Sequence, residues 1–181
     1  MRSKVFSVAD YAFSEGESFL IDANIWIFLY ARQDLDDRRI SAYSEALKKI
    51  AEKQCPIFVD VLVLSEFINR YARLEKAANL NFKSRNFKEF RDSAEFSNVA
   101  SSIAVACRKI LRQCRRTESL FESVDIDAVL SGYGKSRRDF NDQILGEISR
   151  VKGLKVISHD GDFLDLGVTL LTANRRIFSA G

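Results

Sequence analysis

Proline occurs once in the 181 residues and glycine eight times. A chain so poor in both has no long linker and no low-complexity stretch. Histidine also occurs once, at His159, and cysteine three times, at Cys55, Cys107 and Cys114. There is no CxxC pair, and three scattered thiols with one imidazole give no zinc-site spacing. The odd thiol count forms no disulfide framework and suits a reducing, cytoplasmic setting. Cys107 and Cys114, seven apart, are expected on one helical face as small core hydrophobes. A lone histidine also excludes hydrolysis by a two-histidine acid–base pair. The apolar run from Phe19 to Tyr30 is too short for a membrane span and carries Asp22. The opening "MRSKVFSVADYAFSEGE" is polar and acidic rather than signal-like. The expectation is a cytoplasmic protein with no membrane segment.

What is there reads as one globular unit. Hydrophobic residues make up 46% of the chain and charged residues 29%, which excludes disorder. The length fits one domain over residues 1–181, with an extended or inserted segment around 75–135. The net charge of +3 permits an anionic partner without demanding one, so any nucleic-acid case depends on where the charges sit.

"SFLID" predicts a short buried strand, and "ANIWIFLYARQD" a helix too apolar for one face. "RRISAYSEALKKIAEKQ" has helical spacing through Ile40, Tyr43, Leu47 and Ile50. "CPIFV" predicts a second strand, and Asp60 a cap for the helix "VLVLSEFINRYARLEK". Residues 75–98 read as an irregular or partly helical excursion whose Phe82, Phe87 and Phe90 are expected to pack rather than to stack on bases. A long helix is expected from Val99 to Arg116, then a turn at Gly132 and Gly134. "RRDFNDQILGEISRVKG" predicts a helix closed by Gly153, "LKVISHD" a third strand and "VTLLTAN" a fourth. Strands alternating with helices predict an α/β fold, a three-layer α/β/α sandwich with a mainly parallel central sheet. Sites in such sheets form at the carboxyl ends of strands.

Carboxylates recur at those places. Asp22 ends the first strand, Glu66 lies on the helix after the second, and Asp160 follows the third with Asp162 close behind. Asp139 and Asp142, three apart, share a helix face, with Phe140, Ile144, Ile148 and Val151 expected opposite. Gly146 falls on the acidic face and leaves room for a close neighbour or a ligand. Converging carboxylates repel by about 4 kcal/mol per pair at 4 Å and an effective dielectric of 20. Either one protonates or a cation sits among them. An all-oxygen set without His or Cys selects Mg²⁺ or Mn²⁺, and such a site can serve a phosphodiester displacement. Each residue also has a plainer role open to it. Glu66 could pair with Arg70 four residues on, Asp139 could cap its helix, Asp160 and Asp162 could be turn residues around Gly161, and Asp22 could be held by backbone amides.

At these residues the chain resembles the PIN-domain family of nucleases, and within it the VapC-like toxins of toxin–antitoxin pairs. The matching segments are "FLIDANIWI", "VDVLVLSEF", "DFNDQILGEIS" and "VISHDGDF", in family order over about residues 19 to 163. The resemblance implies a Mg²⁺- or Mn²⁺-dependent endoribonuclease on a PIN-like fold. It implies Asp22, Glu66, Asp142 and Asp160 as the catalytic, metal-holding quartet. Asp139 and Asp162 match positions that are acidic in some members, and Asn24 and Ser158 are supporting polar positions. It further implies RNA as substrate, a cognate antitoxin as partner, and self-association as a homodimer. The chain is longer than compact toxins of this type, which leaves a housekeeping PIN nuclease or a non-catalytic RNA- or protein-binding PIN module open. A phosphatase of the haloacid-dehalogenase type would want an Asp where Asn24 stands.

Basic residues supply the expected RNA contacts. Lys135, Arg137 and Arg138 adjoin the acidic helix. Arg108, Arg112, Arg115 and Arg116 fall at spacings of three and four on the expected helix and make a stripe, either a solvated helix face or a set of phosphate contacts that includes Arg112.

Overall fold

The computed structural model describes residues 2–31, 38–135 and 139–178. Its centre is a six-stranded sheet in the order β1-β6-β5-β2-β3-β4, with every adjacent pair parallel. The strands are β1 (Lys4–Ser7), β2 (Phe19–Ile21), β3 (Ile57–Val59), β4 (Cys114–Arg116), β5 (Lys155–Ile157) and β6 (Thr169–Thr172). The helices are α1 (Ala23–Tyr30), α2 (Arg38–Glu52), α3 (Val61–Ala78), α4 (Phe87–Arg91), α5 (Ala94–Gln113), α6 (Ile126–Lys135), α7 (Phe140–Val151) and α8 (Arg175–Phe178). They flank the sheet as an α/β/α sandwich, and no described helix is long and apolar enough to cross a membrane.

The central strands form because β2 is apolar throughout and β5 is apolar after Lys155, and both faces are covered. Phe19, Leu20 and Ile21 are fully buried, as are Val156 and Ile157 beside them. The chain leaves β2 toward β3 and β4 on one side, and returns through β5 and β6 on the other. The strand order therefore reverses between β2 and β5. In an open parallel sheet this reversal leaves a crevice at the carboxyl ends, because the connections on either side depart in opposite directions. Helix α1 follows β2 directly, and Trp26 locks it down. The indole is fully buried and donates to the Ile21 carbonyl at 3.2 Å.

Several expectations from sequence need correction. β1 and β4 are absent from the sequence reading. Both lie at sheet edges, where a strand has one partner and carries little apolar signal. β4 hides in a basic stretch that keeps helical spacing, but α5 stops at Gln113 and Cys114 turns extended at φ −119°. The predicted arginine stripe is thereby broken: Arg108 and Arg112 are on the helix, Arg115 and Arg116 on the strand. Cys107 and Cys114 do not share a helix face for the same reason. Gly132 and Gly134 lie inside α6 rather than in a turn. Val151, expected in the buried row of α7, is 68% exposed because it is the helix's last residue. Gly153, at φ +63°, follows α7 as expected. At Gly146 the close neighbour is Leu166, whose Cδ1 would stand 2.9 Å from an added Cβ.

The 75–98 excursion is held by aromatic packing. Phe90 is fully buried among Phe82, Phe87 and Phe96, with ring centroids 5.3, 6.3 and 5.4 Å away. Phe87 and Phe96 join this cluster to the main core. Truncating the central ring removes its packing and leaves a cavity. Phe90→Ala should destabilise the protein by about 3–5 kcal/mol, measured as a shift in the urea midpoint.

Candidate active site

Asp22 lies at the carboxyl end of β2, beside the point where the strand order reverses. It follows β2 and occupies the N-cap position of α1, yet its side chain makes no capping hydrogen bond. Its backbone N–H donates to the Ile157 carbonyl at 3.0 Å, which fixes it beside the end of β5. The residue is only 3% exposed. Its two oxygens differ. Oδ2 accepts from Ser158 Oγ at 2.7 Å and from Asn24 Nδ2 at 2.5 Å. Oδ1 is buried with no hydrogen-bond partner.

Asn24 and Ser158 are both buried and are cross-linked to each other. The Asn24 amide also donates to Ser158 Oγ at 3.0 Å, while its carbonyl oxygen accepts the His159 N–H at 3.2 Å. Ser158 Oγ accepts the Asp160 N–H at 3.0 Å. His159 is braced in turn. Its Nδ1 lies 2.8 Å from the hydroxyl of buried Tyr43, and its carbonyl accepts from Asn174 Nδ2 at 2.8 Å. Tyr43 also takes the Ala173 N–H at 3.0 Å. This lattice joins β2, α1, α2, β5 and the segment after β6.

Asp142, on the first turn of α7, is 8% exposed and belongs to the same charge cluster. Burial is the main cause that pushes its carboxyl from 3.8 up to about 8, and the charges of Asp22, Glu66, Asp162 and Asp139 push the same way. Burial likewise pushes Asp22 up to about 7; the Ser158 hydroxyl and the Ala23 amide pull it down, while Glu66 and Asp160 raise it. All six predicted carboxylates are therefore electrostatic neighbours. The expected plainer roles are realised as well, without removing the residues from the cluster. Glu66 pairs with Arg70 Nη1 at 2.9 Å on α3. Asp139 caps α7 by accepting the Asn141 N–H at 2.8 Å. Asp160 Oδ1 accepts the Asp162 N–H at 3.3 Å in the turn after β5.

The RNA-contact candidates fare differently. Arg137 and Arg138, with the Lys135 side chain, lie outside the described residues. Arg112 is exposed on α5 and is not among the groups that act most strongly on Asp22 or Asp142. Sequence reasoning missed the Tyr43–His159 contact, because the two residues are 116 positions apart and Tyr43 reads as one more apolar position of α2.

Among the described residues no three His, Cys, Asp or Glu side chains close to metal-coordinating distance. The donor chemistry nevertheless fits a hard divalent cation. All donors are oxygen, two of the carboxyls are buried against like charge, and Asp22 Oδ1 has no partner. Asp60 makes the contrast: it too is buried with an orphan oxygen, but the charge named as acting on it among the described residues is the cationic Lys152.

Comparison with known proteins supplies the remaining evidence. No curated protein matches the chain. Among solved structures, the crystal structure of PAE2754 from Pyrobaculum aerophilum aligns at TM-score 0.47 and 14% identity, over 90% of this chain and 88% of that one. A family model described as the PIN domain matches residues 19–168, from the first residue of β2 to the residue before β6. A match over most of the length, on a parallel sheet with carboxylates gathered at its switch point, means that this chain belongs to the PIN domain family.

Proposed function

We infer that the protein is a Mg²⁺- or Mn²⁺-dependent endoribonuclease, with residues 1–181 acting as one PIN-like unit. The observation that carries this is Asp22. One oxygen is fixed by Ser158 and Asn24, and the other is buried, unpartnered and surrounded by like charge. A carboxylate so placed is matched to a cation rather than to a protein partner. Asp22, Glu66, Asp142 and Asp160 would hold the metal directly or through water, with Asp139 and Asp162 adding negative charge. A divalent ion there supplies Lewis-acid activation of water and charge neutralisation at the phosphodiester. The chain's own part is orientation. Ser158 and Asn24 set the Asp22 carboxylate, the His159 backbone sets the Asn24 amide, and Arg70 restrains Glu66. The matched family and its implied toxin branch support a toxin of a toxin–antitoxin pair acting in the cytoplasm. Its cognate antitoxin would cover the acidic crevice, and it would self-associate as a homodimer.

Three outcomes test the reading. Asp22→Asn should reduce Mg²⁺-dependent RNA cleavage to background while its circular dichroism stays that of the wild type; full activity in this variant sinks the assignment. Ser158→Ala leaves the carboxylate in place but loosens it, and cleavage should fall by about 10–100-fold in a single-turnover assay. The third concerns stability. Asp22 and Asp142 have folded pKa values of about 7 and about 8, above the ordinary 3.8. Between those limits the native state binds more protons than the unfolded chain. Their contribution to the stability of the metal-free protein is therefore fully present below about pH 4 and is lost as pH rises from about 4 to 8. Mg²⁺ must compete with those protons, so the Mg²⁺-induced rise in Tm should be larger at pH 8 than at pH 5.5. Asp142→Asn should raise the metal-free Tm at pH 8 and shrink the Mg²⁺ response, as read by thermal melts with and without chelator.

A further inference from the structure

Among the buried residues of α2, Tyr43 alone carries a polar side-chain atom. A buried hydroxyl is costly unless its hydrogen bonds are met, so the partners of this one oxygen can be counted. A phenol donates one proton and accepts on its lone pairs. The Ala173 N–H donates to it at 3.0 Å. Thr172, fully buried, takes the Asn174 N–H on its own Oγ1 at 3.1 Å, so its hydroxyl proton is left to give. Burial raises the Tyr43 pKa, and the Ala173 amide and the Thr172 hydroxyl pull it back, as donors to the phenol oxygen do. With that oxygen accepting twice, its own proton goes to the neighbour left, His159 Nδ1 at 2.8 Å. The ring nitrogen that receives it is therefore unprotonated.

This hydrogen bond is one of three that hold His159. The carbonyl accepts from Asn174 Nδ2 at 2.8 Å, and the N–H donates to Asn24 Oδ1 at 3.2 Å. The ring itself stands edge-on to both Phe28 and Tyr43, with centroids 5.3 and 5.9 Å away. The N–H bond is the longest of the three and is the one that reaches α1. What it holds there matters, because an amide side chain is planar and fixing its oxygen fixes its nitrogen. Asn24 Nδ2 donates to Asp22 Oδ2 at 2.5 Å and to Ser158 Oγ at 3.0 Å. The direction from which Asn24 meets the Asp22 carboxylate is thus set by the place of the His159 backbone, and that place by the His159 ring.

We propose that Tyr43 is a positioning residue of the acidic site: its hydroxyl, donated to His159 Nδ1, fixes the His159 backbone N–H that aims Asn24 at Asp22. Its effect on cleavage rests on the nuclease reading; the hydrogen-bond relay does not.

His159 is the chain's one histidine, so nitrogen NMR of the imidazole gives a single set of ring signals. In the metal-free wild type at pH 8, Nδ1 should be unprotonated and hydrogen-bonded; a protonated Nδ1 overturns the relay. Tyr43→Phe keeps the aromatic ring and removes the hydroxyl. It should move the Nδ1 signal toward that of a free imidazole and speed hydrogen exchange at the His159 amide by about five- to tenfold, the size of one ordinary hydrogen bond. The single-turnover cleavage rate at saturating RNA should fall by about tenfold, while RNA affinity in chelator stays that of the wild type. Unchanged exchange at His159, or a wild-type cleavage rate, overturns the proposal. Tyr11→Phe is the control: that hydroxyl meets Glu17 at 2.7 Å and Lys155 at the amino end of β5. It should alter neither the His159 signals nor cleavage, and equal losses there would mean general loosening and overturn the relay. His159→Phe removes the same hydrogen bond from the other side and keeps a ring in place, so faster exchange at its amide is expected even if Tyr43→Phe does not fold. The double variant should cleave no more slowly than His159→Phe alone, since Tyr43 acts through His159; a further loss of full size would place the effect of Tyr43 at Ala173 instead and overturn it. A wild type that cleaves no RNA sinks the nuclease reading alone, and the ring signal and amide exchange of His159 still decide the relay.

Discussion

The burial of carboxyl groups beside one another at one edge of the sheet is the constraint on which the rest of the structure turns. Asp22 and Asp142 are nearly inaccessible to water, and each is raised by burial and by the other acids around it. Left to relax, such groups would swing apart or pull water in. Asp22 is held in place, fastened at both ends: its backbone N–H to β5, and one carboxylate oxygen to Ser158 and Asn24. The fold holds both carboxyls where burial first, and the neighbouring acids second, disfavour the charged form.

The sheet topology explains why the acids meet where they do. Strand order reverses between β2 and β5, so the segments after these strands diverge and leave their carboxyl ends uncovered. Asp22 and Ser158 each follow one of those strands by a single residue. Glu66 and Asp142 arrive from helices whose apolar faces are committed to the core. Phe67 beside Glu66 and Ile144, Leu145 and Ile148 beyond Asp142 are all fully buried or nearly so. The positions of the carboxylates follow from which neighbours must be buried.

Much of this is legible in the sequence, and the part that is not follows a physical pattern. Asp22 stands out because its flanks are apolar on both sides, so its burial can be read directly. The four central strands are readable for the same reason, being short runs covered on two faces. β1 and β4 are not, since an edge strand needs apolar residues on little of its surface, and "RKILRQCRR" keeps helical spacing to the last residue. The resemblance to the PIN family rests on ordered carboxylate segments, and the family match over 19–168 upholds it. The Tyr43–His159–Asn174 brace is out of the sequence's reach. Each of its members looks ordinary in its own segment, and only the packing of α2 against the ends of β5 and β6 brings them together.

That brace bears on how the two halves of the edge cooperate. His159 presents its backbone N–H to Asn24 on the acidic side, and its ring to Phe28 and Tyr43 on the basic side. Phe28 in turn carries Arg39, whose positive charge also lowers the Tyr43 pKa against the larger effect of burial. Arg39 is thus linked through the packed rings of Phe28 and His159 to the residue whose N–H holds Asn24. Of these rings Phe28 alone lines a cavity, between α1, α2 and α3, and it packs on the His159 ring. The acidic edge and the cavity lined by Phe28, Arg39, Arg70 and Arg73 therefore meet at two contacts, Phe28 on His159 and Arg70 on Glu66.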